Sequence, residues 1–267
     1  MAGENEITDR RAKAAEMLSI QGFMPLSELC RLLGVSESTV RRDLEVLEEQ
    51  GLIKRTYGGA VYVKDTSPHK LAFAERETTA LDEKQAIART VAGLIPENQT
   101  IILNGGTTCR EVARALAGRR LSVVTNSVPV ASLLSAALAT EVTLVGGYVY
   151  PRTGVCLGSM TVEQLQRVHA TQLVMSCAGV TQEGAFNANQ MMIDVERRMM
   201  GMADQVILAA DHTKLGMRSV VKLCGLDEVD VVVTDAGADP ASRAWLEAQA
   251  ARVIYAEREN ADLTERT

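Results

Sequence analysis

The amino-acid sequence predicts an α/β chain in two parts: a small helical module closed by a β-hairpin, then a larger domain built on a mostly parallel sheet. Three observations carry that expectation. Residues 25–60 hold two short helical periods separated by a glycine break and end in a Gly-Gly hairpin. From Leu81 onward, short apolar runs alternate with amphipathic stretches, the pattern of a sheet covered by helices on both faces. Between the two, residues 64–80 (KDTSPHKLAFAERETTA) lack a long apolar period and contain Ser-Pro, which reads as a linker. The expected divisions are therefore 1–63, 64–80 and 81–267.

In the first module, residues 7–22 predict a leading helix with Ala14, Met17 and Leu18 turned toward a core. Leu26, Leu29 and Leu32 then recur at helical spacing until Gly34-Val35 interrupts them. Ser36 offers an N-cap for a second helix, whose buried stripe is Val40, Leu44 and Leu47. That stripe leaves Ser38, Arg41, Arg42 and Glu45 on the opposite face or its flank. Two short helices joined by a glycine-containing turn form a helix-turn-helix, which places the start of its second helix in the DNA major groove. The small hydroxyls of Ser36, Ser38 and Thr39 permit close approach, and Arg41 and Arg42 can each reach a phosphate or a guanine edge. Gly51 closes the helix. LIKRTYGGAVYV then predicts a hairpin turning at or near Gly58 and Gly59, a basic wing that carries Lys54, Arg55 and Tyr57.

In the second part, DEKQAIARTVAGLI predicts an amphipathic helix. Strands follow at 100–103, 121–125, 141–145, 172–177, 205–210, 229–234 and 252–255. Helices intervene near 108–117, 128–138, 161–168, 190–203 and 240–250. Ligands of such sheets bind beyond the carboxyl ends of the strands. Four of those ends are polar: Asn104-Gly105-Gly106-Thr107-Thr108, Thr125-Asn126-Ser127, Gly146-Gly147, and Asp211-His212-Thr213-Lys214. Glycines admit an anion to backbone N–H groups, and helix N-termini add favourable dipoles. Hydroxyls from Thr107, Thr108 and Ser127 complete a phosphate-sized cradle, with Lys214 as countercharge.

VSESTVRRDLEVLEEQGLIKRTYGGA resembles the winged helix-turn-helix of the DeoR family of bacterial transcriptional regulators, whose hallmark runs S-x-x-T-[IV]-R-R-D-L…G…R-x-[HY]-G-G-A. Ser36, Thr39, Val40, Arg41, Arg42, Asp43, Leu44, Gly51, Arg55, Gly58, Gly59 and Ala60 match it. The strand ends likewise resemble the family's C-terminal segments [DS]-x-G-T-T, T-N-S, G-G and D-x-[ST]-K-[FL]-G. Leu71, Phe73, Glu75 and Arg76 resemble its short F-x-x-R segment, which docks on the second domain. The resemblance spans about residues 7–256. It implies a winged helix-turn-helix followed by an α/β effector-binding sensor domain, similar in fold to sugar-phosphate isomerases. Its partners would be double-stranded operator DNA and a phosphorylated sugar or related metabolite. One departure stands out: Asn104 occupies a position that is usually acidic in the family, and an amide cannot serve as a carboxylate base. Gly179, Glu183, Gly184 and Glu196 fall in matching segments as pocket-wall candidates. Glu196 reads equally as a surface charge paired with Arg197 or Arg198.

Composition sets bounds. The chain has 267 residues, 46% hydrophobic and 23% charged, ordinary values for a globular protein. No apolar run approaches a membrane span and the polar start lacks a signal-peptide core, so a cytoplasmic protein without membrane partners is expected. Cys30, Cys109, Cys156, Cys177 and Cys224 stand singly, as reduced core thiols do. The net charge is −6, and residues 10–62 carry eight Lys/Arg against seven Asp/Glu, leaving +1. Placement of charge, and not its total, marks the DNA face. No metal-ligand spacing, nucleophile elbow or dinucleotide fingerprint appears, so no cofactor and no catalytic residue are expected, with His212 the only histidine at the pocket. The leading expectation is a repressor of a carbohydrate-metabolism operon. It competes with a sugar-phosphate enzyme bearing a DNA module and with a constitutive DNA binder. One recognition helix contacts too few bases to act alone, so a homodimer or homotetramer is expected.

Overall fold

The computed structural model describes residues 10–18, 23–56, 58–62 and 73–258, which fall into two compact units, Met1–Leu71 and Ala72–Thr267. Helix α1 covers residues 10–18. It is followed by strand β1 (Phe23–Pro25), α2 (Leu26–Leu33), α3 (Glu37–Glu49), β2 (Ile53–Thr56) and β3 (Gly59–Tyr62).

Gly34 stops α2 in the left-handed conformation, φ 69°, and its N–H bonds the Cys30 carbonyl. Ser36 caps α3 by accepting from the Thr39 N–H. Gly51, also at φ 69°, ends α3, and the Leu52 N–H reaches back to the Leu47 carbonyl. The core is the expected stripe: Val40, Leu44 and Leu47 meet Ala14 and Leu18 of α1, Leu29 of α2 and Ile53 of β2. Asp43 adds a polar clamp. It is buried, and it accepts hydrogen bonds from Arg10 Nε at 2.6 Å and Arg11 Nε at 2.9 Å, fastening α1 to α3.

Strand β1 was not expected from the sequence. It makes the hairpin a three-stranded sheet of order β1-β3-β2. A Cβ on Gly59 would land on the Met24 carbonyl oxygen, so that glycine is required by the close pass of β1.

The second unit opens with α4 (Phe73–Thr78), so part of the stretch expected as linker is helical. Next come α5 (Leu81–Leu94), β4 (Thr100–Leu103), α6 (Thr107–Leu116), β5 (Leu121–Thr125), α7 (Val128–Leu134) and β6 (Thr140–Leu144). The hairpin β7 (Tyr148–Tyr150) and β8 (Val155–Leu157) precedes α8 (Ser159–Leu165), β9 (Ala170–Met175), β10 (Gly179–Thr181) and β11 (Gly184–Asn187). The chain continues through α9 (Gln190–Met200), β12 (Ala203–Ala209), β13 (Val221–Cys224), β14 (Val231–Asp235), α10 (Pro240–Gln249) and β15 (Val253–Ala256).

All seven expected strands pair in one sheet of order β15-β14-β12-β9-β4-β5-β6, and every pairing is parallel. The two-residue strand period divides the core between the faces. Ile101, Leu103, Val123, Val174 and Ile207 pack with α5, α6 and α7, while Ile102, Val124, Leu173, Met175 and Leu208 pack with α8, α9 and α10. The methionine-rich stretch 191–202 is α9, whose Met199 is fully buried against the sheet. The small sheet β10-β11-β13 and the β7-β8 hairpin are additions that the sequence did not disclose. All five cysteines are free thiols, four of them buried. Among the described residues, no helix is long and apolar enough to cross a membrane.

Candidate functional site

The exposed start of α3 carries a knot of hydroxyls. Ser36 Oγ lies 3.0 Å from Ser38 Oγ and 2.9 Å from Thr39 Oγ1. Arg41 is exposed and paired with Glu37 one turn earlier at 2.6 Å. Arg42 and Lys54 are exposed and make no ion pair among the described residues.

Arg55 departs from expectation. Its Nε bonds Glu48 and its Nη1 bonds Glu45, both at 2.7 Å, and its backbone N–H donates to Glu48 at 2.8 Å. The backbone and side-chain hydrogen bonds from Arg55 hold the Glu48 carboxyl below its usual range. Glu48 is therefore no bystander at the far end of the helix; with Glu45 it ties the wing to α3 and neutralises Arg55. Gly59 is buried beneath β1, which removes it from any DNA-facing surface, while Gly58 is exposed. Tyr57 lies outside the described residues.

In the second unit the sheet changes direction between β4 and β9. Strands β5 and β6 are added on one side, and β12, β14 and β15 on the other. In parallel sheets the loops leaving two such strands part at that point, and ligands bind in the crevice beyond the carboxyl ends of the strands. Gly106 starts α6 with no side-chain cap, so the first N–H groups of this ten-residue helix have no capping acceptor. Thr107 and Thr108 lie buried in its first turn. A Cβ on Gly105 would strike Val155 of β8 and approach Ser127, so this glycine lets three segments converge.

Across the crevice, Asp211 accepts from the Thr213 N–H at 3.1 Å and from its hydroxyl, leaving Oδ2 buried without a protein partner. Lys214, half-buried, follows in the same turn. Burial pulls its pKa down, and Asp211 partly restores it.

Other expected members of the cradle are occupied in holding the fold. Thr125 Oγ1 accepts from the Ser127 N–H at 3.0 Å, and Ser127 Oγ caps α7 by accepting from Val130. Asn126 Nδ2 donates to the Cys156 carbonyl at 3.0 Å, which leaves Oδ1 buried and unpaired. Gly146 and Gly147 turn toward α8 and away from an anion: Gln164 and Thr161 bond the Gly146 backbone, and a Cβ on Gly147 would strike the Thr161 hydroxyl. Gly179 and Gly184 serve close strand packing, and Glu183 is exposed and paired with Arg218 at 3.1 Å, which removes it from a pocket wall. His212 bonds Asp235 through Nδ1 at 2.8 Å. Glu83, His212 and Asp235 bring their donor atoms within 4.8 Å of one another, but Arg258 already places its guanidinium on Glu83.

Two family descriptions match this chain: the DeoR-like helix-turn-helix domain over residues 10–66 and the DeoR C terminal sensor domain over residues 79–236. The chain belongs to the DeoR family. Similar proteins include the HTH-type transcriptional regulator YulB of Bacillus subtilis, 33% identical over 92% of this chain and 96% of that protein. The repressor GlcR of the same organism is 34% identical over 85% and 88%. The glycerol-3-phosphate regulon repressor of Escherichia coli is 32% identical over 86% and 91%. Among solved structures, ribose 5-phosphate isomerase A of Neisseria gonorrhoeae aligns over 51% of this chain and 55% of its own, with TM-score 0.38 and 16% identity, a likeness too partial to bear on activity. A DeoR-family chain with this architecture is a DNA-binding transcriptional regulator.

Two crevice residues of this DeoR-family member escaped or divided the sequence reading. Glu196 is 3% exposed, not a surface charge. Its Oε1 accepts from Asn104 Nδ2 at 3.1 Å and Asn187 Nδ2 at 2.7 Å, while Oε2 is buried and unpaired. Burial raises its pKa to about 7 against the lowering effect of both amides. Lys84, in the first turn of α5, is 2% exposed, and burial lowers its pKa to about 8. A long charged side chain on a helix surface gives no local sign of burial, and only the family's own spacing could have flagged either position.

Proposed function

We propose that the protein is a repressor of a carbohydrate-metabolism operon, released from its operator by a phosphorylated sugar or related metabolite held in the α/β unit. The observation that carries this reading is an uncapped helix start after β4 and a half-buried lysine, Lys214, after β12, both beyond the carboxyl ends of one parallel sheet. Unpaired N–H groups and a half-buried ammonium suit a phosphate, and the amides of Asn104 and Asn187 suit sugar hydroxyls. A relative named as a glycerol-3-phosphate regulon repressor supports the same chemistry, and a second relative is named as a repressor. The proposed effector residues are Asn104, Gly105, Gly106, Thr107, Thr108, Asp211 and Lys214. Ser36, Ser38, Thr39, Arg41, Arg42 and Lys54 are the proposed DNA contacts.

A ligand controls DNA binding only through unequal affinity for two protein states, and coupling of roughly 1–3 kcal/mol changes operator affinity about 5–150-fold. The test is a gel-shift titration on DNA upstream of the protein's own operon, with phosphorylated sugars added one at a time. A retarded band that one phosphosugar abolishes is the expected result; absence of a shift on any promoter fragment ends the reading. Lys214→Ala should keep operator binding and lose release, and weakened DNA binding in that variant would move the effector pocket elsewhere.

A further inference from the structure

The helix α4 is the first described element of the second unit, and three ties hold it there. Glu77 pairs with Arg110 in the first turn of α6. Arg76 Nη2 donates to the Arg152 carbonyl at 3.3 Å, in the turn between β7 and β8. The third tie is Lys84, whose ammonium donates to the carbonyls of Arg76 and Thr79 at 2.5 Å each, closing the carboxyl end of α4. The junction between α4 and α5 is itself strained, since Ala80 adopts the left-handed conformation at φ 51° without being glycine. The first of these ties reaches the opening turn of α6, next to its uncapped start.

The same Lys84 ammonium lies within the electrostatic reach of that crevice: Asp211 attracts it, while Lys214 and Arg76 repel it. Arg76 in turn repels Lys214. Lys84 and Lys214 thus share the field of Asp211, whose Oδ2 is buried without a protein partner. A dianion arriving beside Lys214 would compete with the α4 carbonyls for the Lys84 ammonium.

We propose that Lys84 is a positioning residue that transmits anion occupancy of the crevice to α4: phosphate draws its ammonium from the Arg76 and Thr79 carbonyls and loosens the end of that helix. This rests on the effector reading above and goes beyond it by naming the coupling residue and the element that responds. On this proposal one buried cation has two sets of acceptors, the helix carbonyls that it bonds here and the oxygens of an incoming phosphate. The strained Ala80 junction makes the first set easier to give up.

The experiment is amide hydrogen exchange on the full chain, read over residues 73–80, with and without saturating inorganic phosphate, alongside calorimetric binding of phosphate. In the wild type, phosphate should accelerate exchange in α4 by about tenfold. Lys84→Met should show fast exchange there already and no further response, Lys84→Arg should restore slow exchange, and Lys214→Met should bind no phosphate and keep α4 slow. Phosphate binding with unchanged α4 exchange, or Lys84→Met with wild-type exchange, overturns the coupling and leaves the effector reading standing. Absence of phosphate binding to the wild type removes both. Retention of the thermal transition separates these outcomes from misfolding of Lys84→Met. If that variant does not fold, the response of Lys84→Arg to phosphate decides the matter: slow exchange that phosphate accelerates upholds the coupling, and exchange that phosphate leaves unchanged overturns it.

Discussion

The two candidate sites, one in each unit, place their charges in opposite ways. In the first, Arg41 with Glu37 and Arg55 with Glu45 and Glu48 form ion pairs on open surface. In the second, Glu196, Asp211 and Lys84 are buried, each with a partner drawn from elsewhere in the fold or an oxygen left unsatisfied. An exposed pair is worth little and exchanges one partner for another at small cost, which is what a surface meeting DNA phosphates requires. A buried charge is costly to leave unpaired, so a small change around it alters the energy of the unit, which is what a ligand-responsive site requires. Asp43 is the exception in the first unit, a buried carboxylate used as a clamp.

Four effects would break or sharpen that contrast. The largest effect belongs to Glu196. Its pKa is about 7 in the folded chain against an ordinary value near 4.5, so between those limits the folded state holds a proton that the unfolded state has released. Its contribution is complete below pH 4.5 and fades as pH rises through 7, on the order of 3 kcal/mol across the window. Urea unfolding of the α/β unit should show that decline, and Glu196→Gln should flatten it. An equal slope in both proteins would contradict the burial argument.

Asp43→Ala comes next. It removes the acceptor of Arg10 and Arg11, whose part-exposed side chains can turn to water, so a loss of about 2 kcal/mol is expected in unfolding of the first unit. The third effect is on binding: Arg42→Ala should weaken operator affinity by roughly 1–2 kcal/mol, and by more than Arg41→Ala, because Arg41 must first leave Glu37. Fluorescence anisotropy on one operator at several salt concentrations would rank the two. The smallest effect is that of Glu37→Ala. Loss of one exposed helical pair should cost only about 0.3 kcal/mol of stability, seen in a thermal melt, while operator binding tightens slightly because Arg41 is set free.

The seven strands of the large sheet were legible because each is a short apolar run such as TIIL or LSVVT with a polar end. The strands that were missed, β1, β7, β8, β10, β11 and β13, span three or four residues, and tertiary pairing selects them where local preference does not. The same division applies to the crevice. Asn104-Gly105-Gly106 and Asp211 through Lys214 were visible as strand ends, following β4 and β12 of the sheet. Gly146, Gly147, Thr125 and Ser127 carry the same residue types, yet they pack against α7, α8 and β8; composition cannot say which way a loop turns. Lys84 was hidden for a different reason, since a lysine in an amphipathic helix looks solvated until α4 is laid over it.

The middle of the large sheet pairs Ile101 with Gln172, and no hairpin joins neighbouring strands within it. Such distant pairings assemble slowly and await synthesis of the later strand. The three helices and wing of the first unit, by contrast, are complete by Tyr62. During translation, then, the winged head can be finished before the strands of the parallel sheet have all been made. A chain cut short on the ribosome would carry a folded head and an incomplete sheet whose open strand edges invite aggregation.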